Sequence, residues 1–102
     1  MFCVIYKFNV IRSKEAQFID AWSKMTKYII DNHGGLGSRL HKDSLGDFIA
    51  YAQWPSQEAW VACKLDSQSA LALISLMREC YVENAQVQVL HKLDLISDLF
   101  VK

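Results

Sequence analysis

The sequence predicts an α+β domain in which helices cover one face of a four-stranded sheet and leave the other face bare. Three observations lead to this prediction. Stretches dense in β-branched and aromatic residues alternate with stretches of helical periodicity. The elements follow the order strand, helix, strand, strand, helix, helix, strand. One of the strands is apolar on both of its faces. The length of 102 residues fits a single domain, residues 1–102, and no repeat or linker divides it.

The first part of the chain predicts a strand followed by a long helix. The strand is "FCVIYKFNV", residues 2–10, with one wholly apolar parity. Ser13 is placed to cap the helix, and "HGG", residues 33–35, stops it because glycine accepts the left-handed conformation. Apolar residues recur along the helix at four-three-four spacing and predict its buried stripe. This stripe comprises Phe18, Trp22, Met25 and Ile29.

The middle of the chain predicts a β-hairpin and a short helix. "LGSRLHK", residues 36–42, and "FIAYAQW", residues 48–54, are the two strands, and "DSLGD" between them is a turn signal. Pro55 ends the second of these strands because it lacks a backbone donor. The short helix that follows runs from about Ser56 to Lys64.

The last part predicts a third helix and a final strand. Asp66 or Ser67 caps the helix, which runs to about Tyr81. "VQVLHKLDLISDLF", residues 87–100, is one long strand or two linked strands. Leu71, Ile74, Met77 and Tyr81 form the helix stripe, widened by Leu73 and Cys80. The complete order is the split βαβ, ferredoxin-like pattern, with right-handed crossovers that place the helices on one face of the sheet.

The third strand bears on the oligomeric state. Phe48, Ala50, Ala52 and Trp54 share one of its faces, and Ile49, Tyr51 and Gln53 share the other. A strand that is apolar on both faces is covered on both. Helices cover one face, so we expect a second copy of the chain to cover the other. The result is a homodimer paired through its sheets, a dimeric α+β barrel.

Composition narrows the range of partners and compartments. Eleven basic and eleven acidic side chains cancel, and no basic stripe occurs, so nucleic acid and anionic membranes are poor partners. No stretch is long and apolar enough to span a membrane or to form the core of a signal peptide, and we expect a cytoplasmic protein. Three cysteines without C-x-x-C spacing predict reduced, buried thiols. They are Cys3, Cys63 and Cys80.

Three segments resemble the antibiotic-biosynthesis monooxygenase family of small dimeric α+β barrels: "FCVIYKFNV", "GGLGSRLHK" and "AYAQWPSQEAW". In the last, an apolar strand ends in Gln-Trp, and an aromatic residue follows six positions on. The family includes cofactor-independent oxygenases of aromatic hydroquinones and anthrones, quinol monooxygenases, haem-degrading enzymes and autoinducer-processing isomerases. The resemblance implies a pocket between sheet and helices that holds a small aromatic or quinol-like ligand.

The resemblance also implies which residues form that site. Trp54 matches the tryptophan of the family, and we expect it to be core at its base and pocket wall at its edge. The imidazole of His41 is the natural proton acceptor if it reaches the pocket; otherwise it is a solvated histidine. These two residues are the catalytic candidates. The candidates for substrate binding are Trp22, Phe48, Ala50, Ala52, Trp60 and Leu73.

No cofactor is expected, because the sequence has neither a glycine-rich phosphate loop nor metal-ligand spacing. Haem ligation of the family's kind is disfavoured, because no histidine occurs between His41 and His91. The chain also departs from its oxygenase relatives, which can carry an asparagine at the position of Ala50 and a helix arginine near Leu73. A second hypothesis is therefore open: a non-catalytic ligand-binding or isomerase-type dimeric barrel.

Overall fold

The computed structural model describes residues 1–100. Four strands, three α-helices and one short 3-10 turn make up the fold. In chain order these are β1 Phe2–Phe8, a 3-10 turn Arg12–Lys14, α1 Glu15–His33, β2 Gly37–Lys42, β3 Phe48–Trp54, α2 Gln57–Ala62, α3 Gln68–Arg78 and β4 Gln88–Asp94.

The four strands form one antiparallel sheet in the order β2-β3-β1-β4. Strand β1 lies at the centre and pairs with β3 from Phe2 opposite Trp54 to Phe8 opposite Phe48. The helices α1 and α3 pack together over the sheet, and the buried core forms beneath them. This arrangement confirms the predicted ferredoxin-like α+β fold, with one face of the sheet free of helices.

Helix α1 ends as the sequence predicts but begins differently. Gly34 adopts φ 73° and its N–H bonds to the carbonyl of Ile29, which closes the last turn. The prediction that Ser13 caps the helix is wrong, because Ser13 lies inside the preceding 3-10 turn. The residue at the cap position is Lys14, whose ammonium donates to the Glu79 carbonyl at 3.0 Å and so ties the start of α1 to the end of α3.

Serine hydroxyls cap the two later helices. Ser56 accepts from the backbone N–H of Ala59 at the start of α2, and Ser67 accepts from that of Ala70 at the start of α3. Each of these contacts satisfies a donor that the first turn of a helix leaves free. Of the two caps proposed for α3, the structure therefore selects Ser67.

The buried stripe of α3 differs from the predicted one at its first position. Leu71 is 52% exposed, whereas Ala70 is fully buried. Ala70, Ile74 and Met77 follow the four-three spacing that keeps side chains on one helix face. The helix also ends at Arg78, and not near Tyr81, because Tyr81 forms an isolated β-bridge with Val10.

The core consists of two aromatic clusters on the helix side of the sheet. Phe18 of α1 is fully buried at the centre of the larger cluster, and its ring lies 5.0 Å from that of Phe8 and 5.1 Å from that of Phe48. The smaller cluster contains Phe2, Val4 and Trp54. Both clusters use the apolar parity of β1, and Tyr6 packs against each of them.

The final segment forms one strand and then leaves the sheet. Strand β4 ends at Asp94, and residues 95–100 continue without regular structure. The backbone N–H of Leu95 bonds to the Met1 carbonyl at 2.9 Å, and the segment borders Tyr51 on the free face of the sheet. It carries the most exposed apolar side chains of the described chain, with Ile96 at 92% and Leu99 at 91%.

Two further expectations concern the state of the cysteines and the presence of membrane-spanning helices. All three cysteines are free thiols; Cys3 and Cys80 are buried, and Cys63 is half-buried. Within residues 1–100, no helix has the length and apolar character that crossing a membrane requires.

Candidate functional site

A cavity of about 830 Å³ lies between the helix-facing side of the sheet, α1, α3 and the loop that follows α3. Its floor is the sheet, where Tyr6, Ser38, Ala50, Ala52 and Trp54 line it. Its roof consists of helix residues, namely Trp22, Met25, Ile29, Ile74 and Met77. Such a volume and such a mainly apolar lining are typical of small-molecule sites.

The cavity exists because β3 places two alanines in the middle of the sheet. Ala50 and Ala52 point to the helix side between the larger residues Phe48 and Trp54. Ala50 is 1% exposed, so its methyl group is enclosed by neighbouring side chains. A long side chain at either alanine would occupy space that is now part of the cavity.

Two residues that line the cavity each carry a buried side-chain polar atom without a hydrogen-bond partner among residues 1–100. These atoms are the indole Nε1 of Trp54 and the hydroxyl of Ser38. Ser38 pairs with Ala52, two residues before Trp54 on the same face, so the two side chains are diagonal neighbours on the sheet. A buried polar group without a partner costs about 1–3 kcal/mol. Within the described chain, the Trp54 N–H lacks an acceptor, and the Ser38 hydroxyl lacks both a donor and an acceptor.

A third polar group of the floor belongs to Tyr6. Its hydroxyl accepts a hydrogen bond from Nε1 of Trp60 on α2 at 2.8 Å. Burial raises the pKa of Tyr6; the bond from Trp60 opposes that rise, and the nearby Cys63 adds to it. The phenol is therefore protonated at neutral pH. Tyr6 is also the cross-strand partner of Ala50, so its ring lies beside the smallest side chain of the floor.

The rim of the cavity is polar and lies at the end of α3. Exposed side chains of Arg78, Glu83 and Asn84 border it, so the opening to solvent lies on this side. Tyr81 also lines the cavity, and burial raises its pKa to about 12. Charged groups are thus at the opening, and the interior offers only neutral polar groups.

Four of the eight predicted site residues lie together around the cavity: Trp22, Ala50, Ala52 and Trp54. Trp54 is 4% exposed and packs on Phe2 and Val4 while it also lines the cavity. This placement agrees with the interpretation of Trp54 as core at its base and pocket wall at its edge.

Three other predicted residues lie near the cavity without lining it. Phe48 belongs to the larger aromatic cluster, where its ring contacts Phe18, and Leu73 packs against the same cluster. Trp60 lies on the side of Tyr6 away from the cavity, and the centroid of its ring is 5.7 Å from that of Phe2. Its indole reaches the site through the hydrogen bond to the Tyr6 hydroxyl.

His41 lies on the other side of the sheet from the cavity. It is exposed on β2 and pairs with Ile49, whose side chain belongs to the parity that faces away from the helices. Ser38 and Leu40 have the opposite parity and face the helix side. The alternation of side chains along a strand therefore separates the His41 imidazole from the cavity.

Sequence reasoning missed Tyr6 and Ser38 as site residues. Tyr6 was visible only as one member of the apolar parity of β1, and Ser38 as one polar residue of a short strand. Pairing with Ala50 and Ala52 brings both to the cavity floor. The pairing of β1 with β3 joins residues far apart in sequence, which a local pattern does not specify. Ser38 lies in the predicted hairpin, so its shared parity with Leu40 and the turn at residues 43–47 could have placed it.

Fold and cavity together define a ferredoxin-like α+β domain with a ligand-sized site between sheet and helices. The sequence model of the family "Antibiotic biosynthesis monooxygenase" matches residues 1–64, from β1 through α2. The chain belongs to this family. The matched region contributes the cavity floor and Trp22, whereas the rim and the α3 part of the roof lie beyond it.

Solved structures share this fold over nearly the whole chain. A candidate antibiotic biosynthesis monooxygenase from Bordetella bronchiseptica is 17% identical with a TM-score of 0.76, over 94% of this chain and 97% of that one. A corresponding Caulobacter crescentus protein is 16% identical with a TM-score of 0.75, over 94% and 90%. SnoaB of Streptomyces nogalater, a cofactor-independent oxygenase solved as an asparagine-to-alanine variant, is 14% identical with a TM-score of 0.73, over 96% and 95%. No curated protein sequence matches the chain significantly.

Proposed function

We propose that the protein is a monooxygenase that oxidises a small aromatic, quinol or polyketide-type substrate with dioxygen and without a cofactor. The observation that carries this proposal is the pair of unpartnered buried groups, Trp54 Nε1 and Ser38 Oγ, on the floor of a mainly apolar cavity. Aromatic substrates of this kind present flat apolar surface together with hydroxyl or carbonyl oxygens. The cavity complements both features.

The family and SnoaB give the proposal its reaction. An anthrone-type carbon that carries two hydrogens first loses one proton, and the resulting carbanion gives two electrons to dioxygen. The peroxide anion that forms takes up one proton and becomes a hydroperoxide. The hydroperoxide then loses water: the O–O bond and the second C–H bond break, and a carbonyl forms. One oxygen atom enters the product and the other leaves in water, so the step needs no further reductant.

The residues of the cavity support this chemistry in distinct ways. The N–H of Trp54 and the hydroxyl of Ser38 hold a substrate oxygen and so fix the orientation of the ring. Ala50 and Ala52 leave the space for that ring, and Trp22 covers it from α1. A closed apolar roof keeps water from the carbanion and the hydroperoxide. The proton passes to solvent at the rim, where Glu83 is the acidic side chain among the described lining residues.

We also propose that the active form is a homodimer paired through the free faces of its sheets. Proteins of this family are typically dimeric. Ile5, Ile49 and Tyr51 lie half-buried on this face, and Leu93 and residues 95–100 add exposed apolar surface beside it. Burial of such surface drives association. A cytoplasmic location is part of the proposal, since free thiols persist in reducing compartments.

Oxygen uptake with a panel of hydroquinones and anthrones tests the function. We expect protein-dependent uptake that falls about tenfold or more in Trp54→Phe, because this change removes one hydrogen bond and keeps an aromatic ring. Tyr28→Phe serves as the control, since Tyr28 lies outside the cavity and its hydroxyl bonds to Ser67, and its uptake should equal that of the wild type. Equal uptake by Trp54→Phe and wild type would contradict the assigned role of Trp54.

Ala50 favours a second candidate function, a ligand-binding or isomerase-type barrel. The side chain at the centre of the floor is a methyl group, so the cavity has no amide there to polarise a substrate. Tight binding of the same aromatic compounds without any oxygen consumption would support this second function over the first.

A further inference from the structure

The hydroxyl of Tyr6 has an unused hydrogen-bond donor at the cavity. An indole N–H can only donate, so the 2.8 Å contact makes Trp60 the donor and the Tyr6 oxygen the acceptor. The hydroxyl hydrogen of Tyr6 remains, and it has no acceptor among residues 1–100. Tyr6 lines the cavity, whereas Trp60 does not. A ligand oxygen in the cavity can therefore satisfy this hydrogen.

The surroundings of Tyr6 suit this role. Ala50 is its partner across β1 and β3, and a methyl group there leaves the cavity side of the tyrosine open. Ala50 itself offers no hydrogen-bonding group. Tyr6, which lies opposite Ala50 on the neighbouring strand, is therefore the residue that can form a hydrogen bond at the centre of the floor.

We propose that the Tyr6 hydroxyl donates a hydrogen bond to an oxygen of the substrate, and that Trp60 positions and polarises this hydroxyl from behind. The inference deepens the proposed function and rests on it. An oxygen conjugated with the carbon that loses its proton gains negative charge in that step. A donor already aimed at this oxygen stabilises the charge as it develops.

Two physical effects strengthen the donor. A hydroxyl that accepts one hydrogen bond becomes a better donor in the next, because each bond polarises its neighbour. Burial raises the pKa of Tyr6, which keeps the hydroxyl protonated and therefore able to donate at neutral pH. The proton stays on Tyr6, so the inference involves a hydrogen bond and no transfer.

A bound dye tests the inference without turnover. Alizarin, a dihydroxyanthraquinone whose ionised form absorbs at longer wavelength, reports its own protonation by its visible spectrum. A donor that contacts its oxygens stabilises the ionised form, whereas the apolar cavity disfavours it, so the role of Tyr6 is read from the difference in ionisation pH between the wild type and the variant. We expect Tyr6→Phe to weaken binding of the ionised dye about tenfold and to raise the pH at which the bound dye ionises by about one.

The variants separate the role of each residue. Trp60→Phe should raise the ionisation pH of the bound dye by less than Tyr6→Phe does, because the Tyr6 hydroxyl remains but loses its polarising partner. Tyr28→Phe makes the same chemical change outside the cavity, where the hydroxyl bonds to Ser67, and should match the wild type. Circular dichroism spectra like that of the wild type would show that the variants fold.

Two results would overturn the inference: an unchanged ionisation pH in Tyr6→Phe, or a wild-type protein that does not bind the dye. The proposed oxidation has a separate readout. Absence of oxygen uptake together with the expected dye response would refute the monooxygenase function alone and keep Tyr6 as a ligand-binding residue.

Discussion

Ala50 and Tyr6 face each other across two antiparallel strands, and the small side chain of one leaves room beside the hydroxyl of the other. At the scale of single residues, the site is a few neutral polar groups on an apolar floor. Trp54, Ser38 and Tyr6 each have a hydrogen-bonding capacity that the described chain does not fill. Such groups favour a ligand with oxygens at matching positions, because each of them then gains a hydrogen-bond partner.

Substitution of Ala50 tests whether the cavity is the binding site. Ala50→Leu adds three carbons to a side chain that already lies enclosed on the cavity floor. We expect affinity for aromatic ligands to fall at least about tenfold, because the leucine occupies ligand space. The free energy of unfolding should fall by about 1–3 kcal/mol, since the added carbons must displace the side chains that enclose Ala50. Ligand titration and thermal unfolding measure the two effects.

Ala62→Leu is the matched control for this substitution, because Ala62 is exposed on α2 away from the cavity. It should bind ligands as the wild type does. Unimpaired binding by Ala50→Leu would show that the ligand site lies elsewhere.

At the scale of elements, the positions of the strands were predicted more accurately than the ends and the buried faces of the helices. Residues 48–54 were predicted with both ends correct, because Pro55 and the turn at 43–47 bound an unbroken apolar run. The predicted cap of α1 was wrong because Ser13 lies within the 3-10 turn that precedes the helix. The face of α3 was wrong because Ala70 packs closely under the helix while Leu71 points to solvent. Tertiary packing decided that face, and leucine hydrophobicity did not.

The site residues also differ in whether a local sequence pattern could predict them. Alternation along β3 predicted that Ala50, Ala52 and Trp54 share the helix side of the sheet, and they do line the cavity. The pairing that brings Tyr6 beside them was not predictable, because the register of β1 against β3 arises from contacts far apart in sequence. Ser38 pairs through the predicted hairpin, so its position on the cavity side could have been read from the turn and the strand parity. The residues of the rim beyond α3 could not be predicted either, since their position depends on where the chain turns back after Arg78.

At the scale of the whole molecule, the free face of the sheet predicts a dimer. We expect sedimentation equilibrium at micromolar concentration to give about twice the single-chain mass of 11.7 kDa. Ile49→Asp places a charge in the centre of this face, opposite Lys7 and His41, and should give the mass of one chain. The new carboxylate would lose its hydration at the interface, and the Lys7 ammonium opposite it is already paired with Asp47.

Val61→Asp makes a similar change on the exposed surface of α2 and should leave the dimer intact. A wild-type protein that sediments at the mass of one chain would contradict the dimer and would leave the apolar character of β3 on both faces without an explanation.

The central claim is that the cavity supports the reaction of an organic substrate with dioxygen itself. The most direct measurement is turnover of an anthrone under isotopically labelled dioxygen, with mass spectrometry of the product and of the water formed. The account predicts one labelled oxygen atom in the product carbonyl and the other in water, in amounts that depend on the protein and decline in Trp54→Phe. Protein that binds the anthrone but leaves it unlabelled and unchanged would contradict the account and would favour the ligand-binding barrel.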